Sequence, residues 1–183
     1  MWIVFGLIIL TVVVVGCSDI GPLKGKVDFW TDDPLIYEAT VSAIDVWANV
    51  GVAKAATVTV ELIDPRQNEE WKKKGRLPIT RMPRDQLHKP CVLDPGYRGD
   101  GCGSIDGNNE YTGIHIPEDL NDLERLKVVM IHELGHIIAE SREHAPVDSI
   151  AIMHPDGTSQ TPTDADIEYM RTKTLVLDPE DVR

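Results

Sequence analysis

The sequence lacks a basic cluster, an internal repeat and a low-complexity tract. Its 30 Asp and Glu residues outnumber its 18 Lys and Arg residues, which gives a formal net charge of -12 at pH 7. Nucleic acid is therefore excluded as a partner, because no part of the chain is basic enough to neutralise phosphates. The one basic run, Lys72–Lys74, follows Glu69 and Glu70 and is typical of a solvated loop or helix end. With 183 residues, the chain is long enough for one domain with a hydrophobic core, but it is short for two such domains.

Charged side chains are also absent between Met1 and Gly16. This apolar run is shorter than the ~20 residues that span a bilayer as a helix, and it has the length of the hydrophobic part of a signal peptide. Residues 14–17, which end in Gly16 and Cys17, resemble a bacterial lipobox, whose cysteine becomes lipidated and N-terminal. We therefore expect a signal peptide of the lipoprotein type at residues 1–16 and a tether at residues 17–25. The chain is then exported and anchored to a membrane at Cys17, either periplasmic or on the cell surface, and the alternative is an uncleaved N-terminal anchor.

Cysteine is scarce, with three residues in the chain. Once Cys17 is assigned to the lipid, Cys91 and Cys102 remain as an even pair in an oxidising compartment. The segment between them is rich in Pro and Gly, which allows it to fold back and bring the two sulfurs together. We expect one disulfide here. A metal site is the weaker interpretation, because no CxxC motif or nearby histidine pair accompanies these cysteines.

Acidic and amide side chains are concentrated in and after the same segment, and their oxygens could bind Ca²⁺. They are Asp94, Asp100, Asp106, Asn108, Asn109 and Glu110. Their spacing is not that of an EF-hand, so turn formation is the preferred interpretation and a calcium site is the alternative.

The pattern of apolar residues and chain breakers predicts a mixture of strands and helices. The strongest predicted helix runs from Leu120 to Glu140 and has one broad apolar side. The other predicted elements are strands at Lys26–Trp30, Ala56–Ile63, Leu77–Thr80, Cys91–Leu93 and Tyr111–Ile116, a helix from Asp32–Pro34 to Gly51, and a last helix from Thr163. This order implies an α+β domain over residues 26–183, with one mixed twisted sheet packed by two long helices.

The segment His132-Glu133-Leu134-Gly135-His136 carries the clearest chemical signal in the sequence. Two histidines four positions apart on a helix project from the same face and can share one zinc ion. Glu133 is placed to accept a proton from zinc-bound water and to return it to the leaving amine. Two buried histidines beside an unrelated glutamate are the less favoured explanation, because this pattern rarely occurs by chance inside an apolar helix.

A catalytic zinc needs a third protein ligand, and the residues after the helix supply the candidates. His144 is preferred, because Pro146 shows that the helix has ended and that the chain can fold back toward the ion. Glu143 and Asp148 are the alternatives. Glu140 lies on the ligand face, but three successive turns of one straight helix do not easily enclose one ion. We therefore expect Glu140 to support the ligands or to be a solvated acid.

The stretch from His132 to His144, followed by residues 151–155, resembles the metzincin metallopeptidases and in particular their matrixin-like branch. That family pairs HExxHxxGxxH with a downstream turn that carries a methionine beneath the metal, and Met153 falls at this place. Two features differ from the family pattern: the third histidine comes two residues later, and Ala139 replaces the glycine. The resemblance implies a zincin fold with a C-terminal helix after the Met-turn.

Further segments agree with this resemblance. They are Tyr37–Gly51 with Ala43 and Trp47, Gly113–Ile116, and Thr163–Ile167. By the same resemblance, residues 155–161 would shape the pocket for the side chain that follows the cleaved bond. His115 would then match a structural-zinc ligand, although an exposed strand histidine is the preferred interpretation.

These observations predict a zinc-dependent endopeptidase that hydrolyses peptide bonds in extracytoplasmic proteins. Glu133 is the expected catalytic residue, and the expected metal ligands are His132, His136 and His144. We expect a monomer that binds protein or peptide substrates along a sheet edge. The alternative is a non-catalytic zinc-binding or protein-binding module derived from a peptidase, which would have no need for Glu133. A zinc hydrolase of another kind, with Glu168 as a distant ligand, is a further alternative.

Overall fold

A computed structural model describes residues 26–74, 76–91, 99–105, 111–141, 143–146, 148–154, 159–174 and 176–177. The predicted signal peptide (1–16) and tether (17–25) lie outside these ranges, as do residues 155–158 of the predicted pocket. Within the described ranges, no helix is both long enough and apolar enough to cross a membrane.

The fold is α+β, as the sequence predicts, with five strands and four helices among the described residues. The strands are β1 (Val27–Thr31), β2 (Val58–Leu62), β3 (Leu77–Met82), β4 (Cys102–Ile105) and β5 (Tyr111–Pro117). The helices are α1 (Pro34–Asn49), α2 (Asn68–Lys73), α3 (Leu123–Ala139) and α4 (Asp164–Arg171). Short 3-10 helices occupy Ala53–Thr57, Pro65–Gln67 and Arg84–Gln86.

One mixed sheet joins the five strands in the order β2-β1-β3-β5-β4. β1 pairs in parallel with both β2 and β3, and β3 pairs in parallel with β5. β4 is antiparallel to β5 and stands at the edge of the sheet. The helix α1 connects β1 to β2, because parallel neighbours need a long crossover connection.

The start of α1 follows from a capping aspartate. Asp33 Oδ1 accepts hydrogen bonds from the backbone N–H groups of Leu35 at 2.8 Å and Ile36 at 3.1 Å, and a proline occupies the first turn. The helix ends at Asn49, and Gly51 follows with φ of 86°, a left-handed conformation that glycine adopts without strain.

The helix α3 is slightly shorter at both ends than the predicted Leu120–Glu140. Asp122 caps it by accepting a hydrogen bond from the N–H of Arg125 at 2.7 Å. α3 packs against α1, and the buried indole Nε1–H of Trp47 donates to the backbone oxygen of Ile131 at 2.8 Å. The main hydrophobic core therefore lies around α1, α3 and the sheet.

The region before β5 differs most from the prediction. β4 was not predicted, because its glycine- and serine-containing sequence has little strand propensity. Cys91 lies in a turn, and the remainder of the strand predicted at Cys91–Leu93 lies outside the described residues. The predicted disulfide between Cys91 and Cys102 is present and attaches the first residue of β4 to the preceding loop.

Candidate metal centre

Two of the predicted ligands come from successive turns of α3. His132 and His136 project from the same face of the helix, with their ring centroids 4.8 Å apart. Their Nε2 atoms face each other at 3.1 Å. His132 is half-buried and His136 is buried, so the pair lies in a partly water-excluded position.

The third predicted ligand comes from the segment after the helix. The ring of His144 lies 5.3 Å from the ring of His132 and 4.7 Å from that of His136. One nitrogen from each of the three residues can be chosen so that all lie within 4.8 Å of one another. Among the residues that the structure describes, no other group of three His, Cys, Asp or Glu side chains is arranged to hold a metal ion.

The alternative ligands do not join this group. The Glu143 carboxylate is paired with Lys173, and Asp148 is exposed. Glu140 contacts Lys54 rather than the histidines, and Glu168 is exposed on α4. His144 is therefore the candidate that the fold brings to the helical pair.

Backbone carbonyl groups determine which ring nitrogen of His132 and His136 carries the hydrogen. Nδ1 of His132 lies 2.6 Å from the backbone oxygen of Ile152, and Nδ1 of His136 lies 3.0 Å from that of Ser141. A carbonyl oxygen can only accept, so each Nδ1 carries the hydrogen and each neutral ring presents a lone pair on Nε2. Metal-binding histidines share this arrangement, because the hydrogen bond at one nitrogen orients the other toward the ion.

The facing Nε2 atoms fit a shared cation. Two lone pairs at this distance repel each other unless a proton or a positive ion lies between them. A tetrahedral zinc ion bound about 2.0–2.1 Å from two nitrogens separates them by about 3.3 Å, close to the Nε2–Nε2 distance of 3.1 Å. Three imidazoles are also a donor set that zinc accepts in catalytic sites. The three histidines therefore fit a metal ion such as zinc.

Glu133 lies beside the histidine pair and against the edge strand. Its side chain is buried, and burial raises the pKa of its carboxyl group, while the proximity of His132 and a hydrogen bond from the backbone N–H of Gly103 partly oppose the rise. Cβ atoms on Gly101 and Gly103 would lie 3.5 and 4.0 Å from the Glu133 side chain, which is ordinary van der Waals contact. The carboxyl group is therefore held between α3 and β4, in a setting that favours proton uptake.

A buried turn lies beneath the helical pair. Met153 is fully buried, and its sulfur packs on Gly135, which stands between the two histidines. The N–H groups of Ile152 and Met153 donate to the carboxylate of Asp166 at 3.0 and 2.8 Å. Since the oxygen of Ile152 accepts from His132, the carboxylate of Asp166 supports the orientation of that ring through the turn.

The role of Asp166 could not be predicted from the sequence. The residue is fully buried at the start of α4, where it also accepts from the backbone N–H of Thr163 at 2.7 Å as part of a capping box. The capping pattern was visible in the sequence, but it indicates only a helix start. Contact with the distant turn at residues 151–154 depends on the tertiary fold.

One secondary expectation needs correction. His115 is half-buried, not exposed: Nδ1 lies 3.0 Å from Oγ1 of Thr80, and Nε2 lies 3.1 Å from Oγ of Ser104. Burial also lowers the pKa of His115. Of the calcium candidates, Asp100 accepts hydrogen bonds from Arg84 and Arg125, which leaves it poorly suited to a cation. The other calcium candidates lie outside the described residues.

No protein-family model matches the chain, and no curated protein is similar to it in sequence. The chemical interpretation of the metal centre therefore depends on its own geometry.

Proposed function

We propose that the chain is a zinc-dependent endopeptidase with a metzincin-like, matrixin-type domain. The observation that carries this proposal is the convergence of His132, His136 and His144 beside the buried carboxyl group of Glu133. A binding site for zinc alone would not need a carboxyl group next to the first ligand. A hydrolase does need one, because a proton must move from water to the leaving amine.

Nitrogen atoms of the three histidines would hold the ion. Nε2 is the ligand atom on His132 and His136, because Nδ1 of each ring is engaged by a backbone oxygen. When bound, zinc supplies a Lewis acid that polarises a carbonyl group and lets water act as a nucleophile near neutral pH. Three protein ligands leave a fourth position for the reaction, which is the usual difference between catalytic and structural zinc sites.

Glu133 would act as the general base and then as the general acid. Its carboxylate receives a proton from the attacking water and delivers that proton to the amide nitrogen as the peptide bond breaks. The hydrogen bond from the N–H of Gly103 holds one side of the carboxylate in place. Burial between α3 and β4 raises its pKa and so favours holding the proton between the two steps.

The edge strand β4 would bind an extended substrate. Among the described strands, β4 pairs only with β5, and it runs next to Glu133. A substrate segment can add to such an edge through backbone hydrogen bonds, which suits an endopeptidase that accepts varied sequences. Gly101 and Gly103 let this part of the edge pack closely against the protein itself, because Cβ atoms there would lie 2.6 Å from Val129 and 3.0 Å from Tyr111.

The arrangement around the histidines supports the metzincin type. α3 carries the HExxH segment, a turn with the buried Met153 packs beneath it, and the C-terminal helix α4 follows. Export and a lipid anchor at Cys17 belong to the same proposal and place the substrates outside the cytoplasm. The features that depart from the family pattern are confined to the turn between Ala139 and His144.

Metal analysis and peptide cleavage test the proposal together. The purified full-length chain should contain about one zinc per molecule, and it should cleave casein or quenched peptides until a chelator is added. Glu133→Gln should keep the zinc and lose about 10²–10⁴-fold in cleavage rate, because the general base is removed. His132→Ala should lose both zinc and cleavage.

Each part of the proposal can fail separately. A zinc-loaded chain that cleaves no peptide in a broad substrate library would instead identify a non-catalytic zinc-binding module. A chain that takes up no transition metal would rule out the metal centre itself. Cleavage that persists in Glu133→Gln would move the general base elsewhere.

A further inference from the structure

The chain reverses direction directly after α3, at Glu140. This residue has φ of 48° and ψ of 37°, which is the left-handed conformation. Within the described part of the chain, it is the one non-glycine residue with positive φ. Side chains disfavour this conformation, and glycine is the usual residue where a helix ends in this way. A specific contact must therefore stabilise a glutamate at this position.

The reversal brings the next residues onto the metal centre. The N–H of Ser141 donates to the oxygen of His136 at 3.0 Å, and the oxygen of Ser141 lies 3.0 Å from Nδ1 of the same histidine. His144 follows three residues later, with its ring 4.7 Å from that of His136. The orientation of the second ligand and the position of the third thus both depend on the turn at Glu140.

Lys54 provides the contact that holds Glu140. Its Nζ atom lies 2.5 Å from Oε1 of Glu140, and Lys54 is only 4% exposed. The lysine comes from the 3-10 helix Ala53–Thr57, which precedes β2 and lies far from α3 in sequence. The Glu140 side chain is 48% exposed, so it can pair with the ammonium group from the solvent side, and its departure would leave a largely buried charge without this partner.

We propose that Lys54 and Glu140 are positioning residues for the third metal ligand. Their ion pair holds the chain after α3 in the left-handed turn and thereby places His144 beside His132 and His136. This inference rests on the proposed function, because it takes the three histidines to be the zinc ligands. The pair would stabilise the left-handed conformation that a glycine usually adopts at the end of a helix, since no glycine follows α3 directly in this sequence.

Two substitutions of Glu140 separate the ion pair from the backbone conformation. Glu140→Ala and Glu140→Gly both remove the carboxylate and leave Lys54 unchanged, but only glycine accepts a φ of 48° without strain. Zinc affinity, measured in the full-length chain by competition with a chromophoric chelator, should fall about 10–100-fold in Glu140→Ala. Glu140→Gly should stay close to the wild type.

Further variants test whether the effect passes through His144. Lys54→Met should weaken zinc binding, and Lys54→Met with Glu140→Gly should restore it. In a His144→Ala background, Glu140→Ala should have no further effect on zinc affinity, because the ligand that it positions is already absent. Lys127→Met breaks an exposed ion pair to Glu124 on the same helix and should leave zinc affinity unchanged.

The outcomes are distinct. Equal zinc affinity in wild type and Glu140→Ala would overturn the positioning role while leaving the zinc site intact. Equally weak binding by Glu140→Ala and Glu140→Gly would overturn the link to the left-handed turn, as would an additive effect in the His144→Ala background. Failure of the wild type to bind zinc would overturn the proposed function and this inference together.

Discussion

The sulfur atom of Met153 occupies the space that a Cβ atom on Gly135 would need. A ring carbon of Trp47 lies 3.1 Å from the same point, so the helix is packed from two sides between His132 and His136. The close contact joins the buried turn at residues 151–154 to the helical turn that carries both imidazoles. Glycine in the middle of this helix is therefore a packing requirement and not a weak point.

Gly135→Ala tests this packing, because two effects predict opposite changes in the free energy of unfolding. Helix propensity alone predicts that alanine stabilises α3 by about 1 kcal/mol. Crowding against Met153 and Trp47 predicts a loss of about 1–3 kcal/mol. We expect the loss, measured as a lower free energy of unfolding in urea, together with weaker zinc binding. A more stable variant would show that the turn moves aside at little cost.

Asp166→Ala should lower both the stability of the fold and the zinc affinity, although Asp166 is not one of the proposed ligands. The change leaves the buried N–H groups of Ile152 and Met153 without their acceptor, at about 1–3 kcal/mol for each unsatisfied group. Zinc affinity should also fall about 10–100-fold, because the Ile152 oxygen no longer holds Nδ1 of His132 in place. Asp164→Ala, an exposed acid in the same first turn, is the control and should change neither quantity. An equal effect of both variants would refute the proposed support of His132.

Acid stability should depend on Asp100. Burial raises the pKa of this carboxyl group, whereas hydrogen bonds and charges from Arg84 and Arg125 lower it. The lowering is the larger of the two effects, so the pKa of Asp100 lies below its usual value. Its contribution to stability is therefore complete above the unfolded pKa of about 3.9 and disappears as pH falls through the lower folded value.

Asp100→Asn should accordingly cost about 1–2 kcal/mol at pH 7, and the difference from the wild type should shrink below about pH 4. Urea unfolding over a range of pH measures both quantities. Asp85→Asn, an exposed acid in the neighbouring 3-10 helix, provides the comparison. A constant difference down to the lowest pH would mean that the charge of Asp100 is not what stabilises the loop.

Replacing both Cys91 and Cys102 by serine should destabilise the fold by about 3 kcal/mol, from the loop entropy of cysteines 11 residues apart. The loss should be concentrated at the edge strand, since Cys102 is the first residue of β4. Hydrogen exchange should accelerate in β4 more than in β3 or β5. Uniform acceleration across the sheet would show that the disulfide stabilises the whole domain and not the edge.

The parts of the fold that could be predicted from sequence are those with local signals. The start of α1 follows from Asp33 and the proline after it, and α3 follows from its apolar periodicity. The meeting of His132 and His136 is a consequence of helical geometry alone, because four positions make about one turn. The disulfide was predictable from cysteine number and loop composition.

The remaining features depend on contacts that are distant in sequence. β4 has little strand propensity and is held by pairing with β5 and by the disulfide. Nothing near Glu140 indicates that a residue with a side chain would adopt the left-handed conformation, because its partner Lys54 lies 86 positions earlier. The burial of His115 between Thr80 and Ser104 likewise arises only when β3, β4 and β5 assemble.

Through the capping carboxylate of Asp166, α4 supports the candidate metal centre although it carries none of the histidines. A peptide from His132 to His144 would include every candidate ligand, but it would lack the Ile152 oxygen that orients His132 and the Asp166 carboxylate that supports it. A cut between the Met153 turn and α4 would likewise leave the ligand sequence whole. It would, however, break the covalent link between the turn and the Asp166 carboxylate that accepts its two N–H groups.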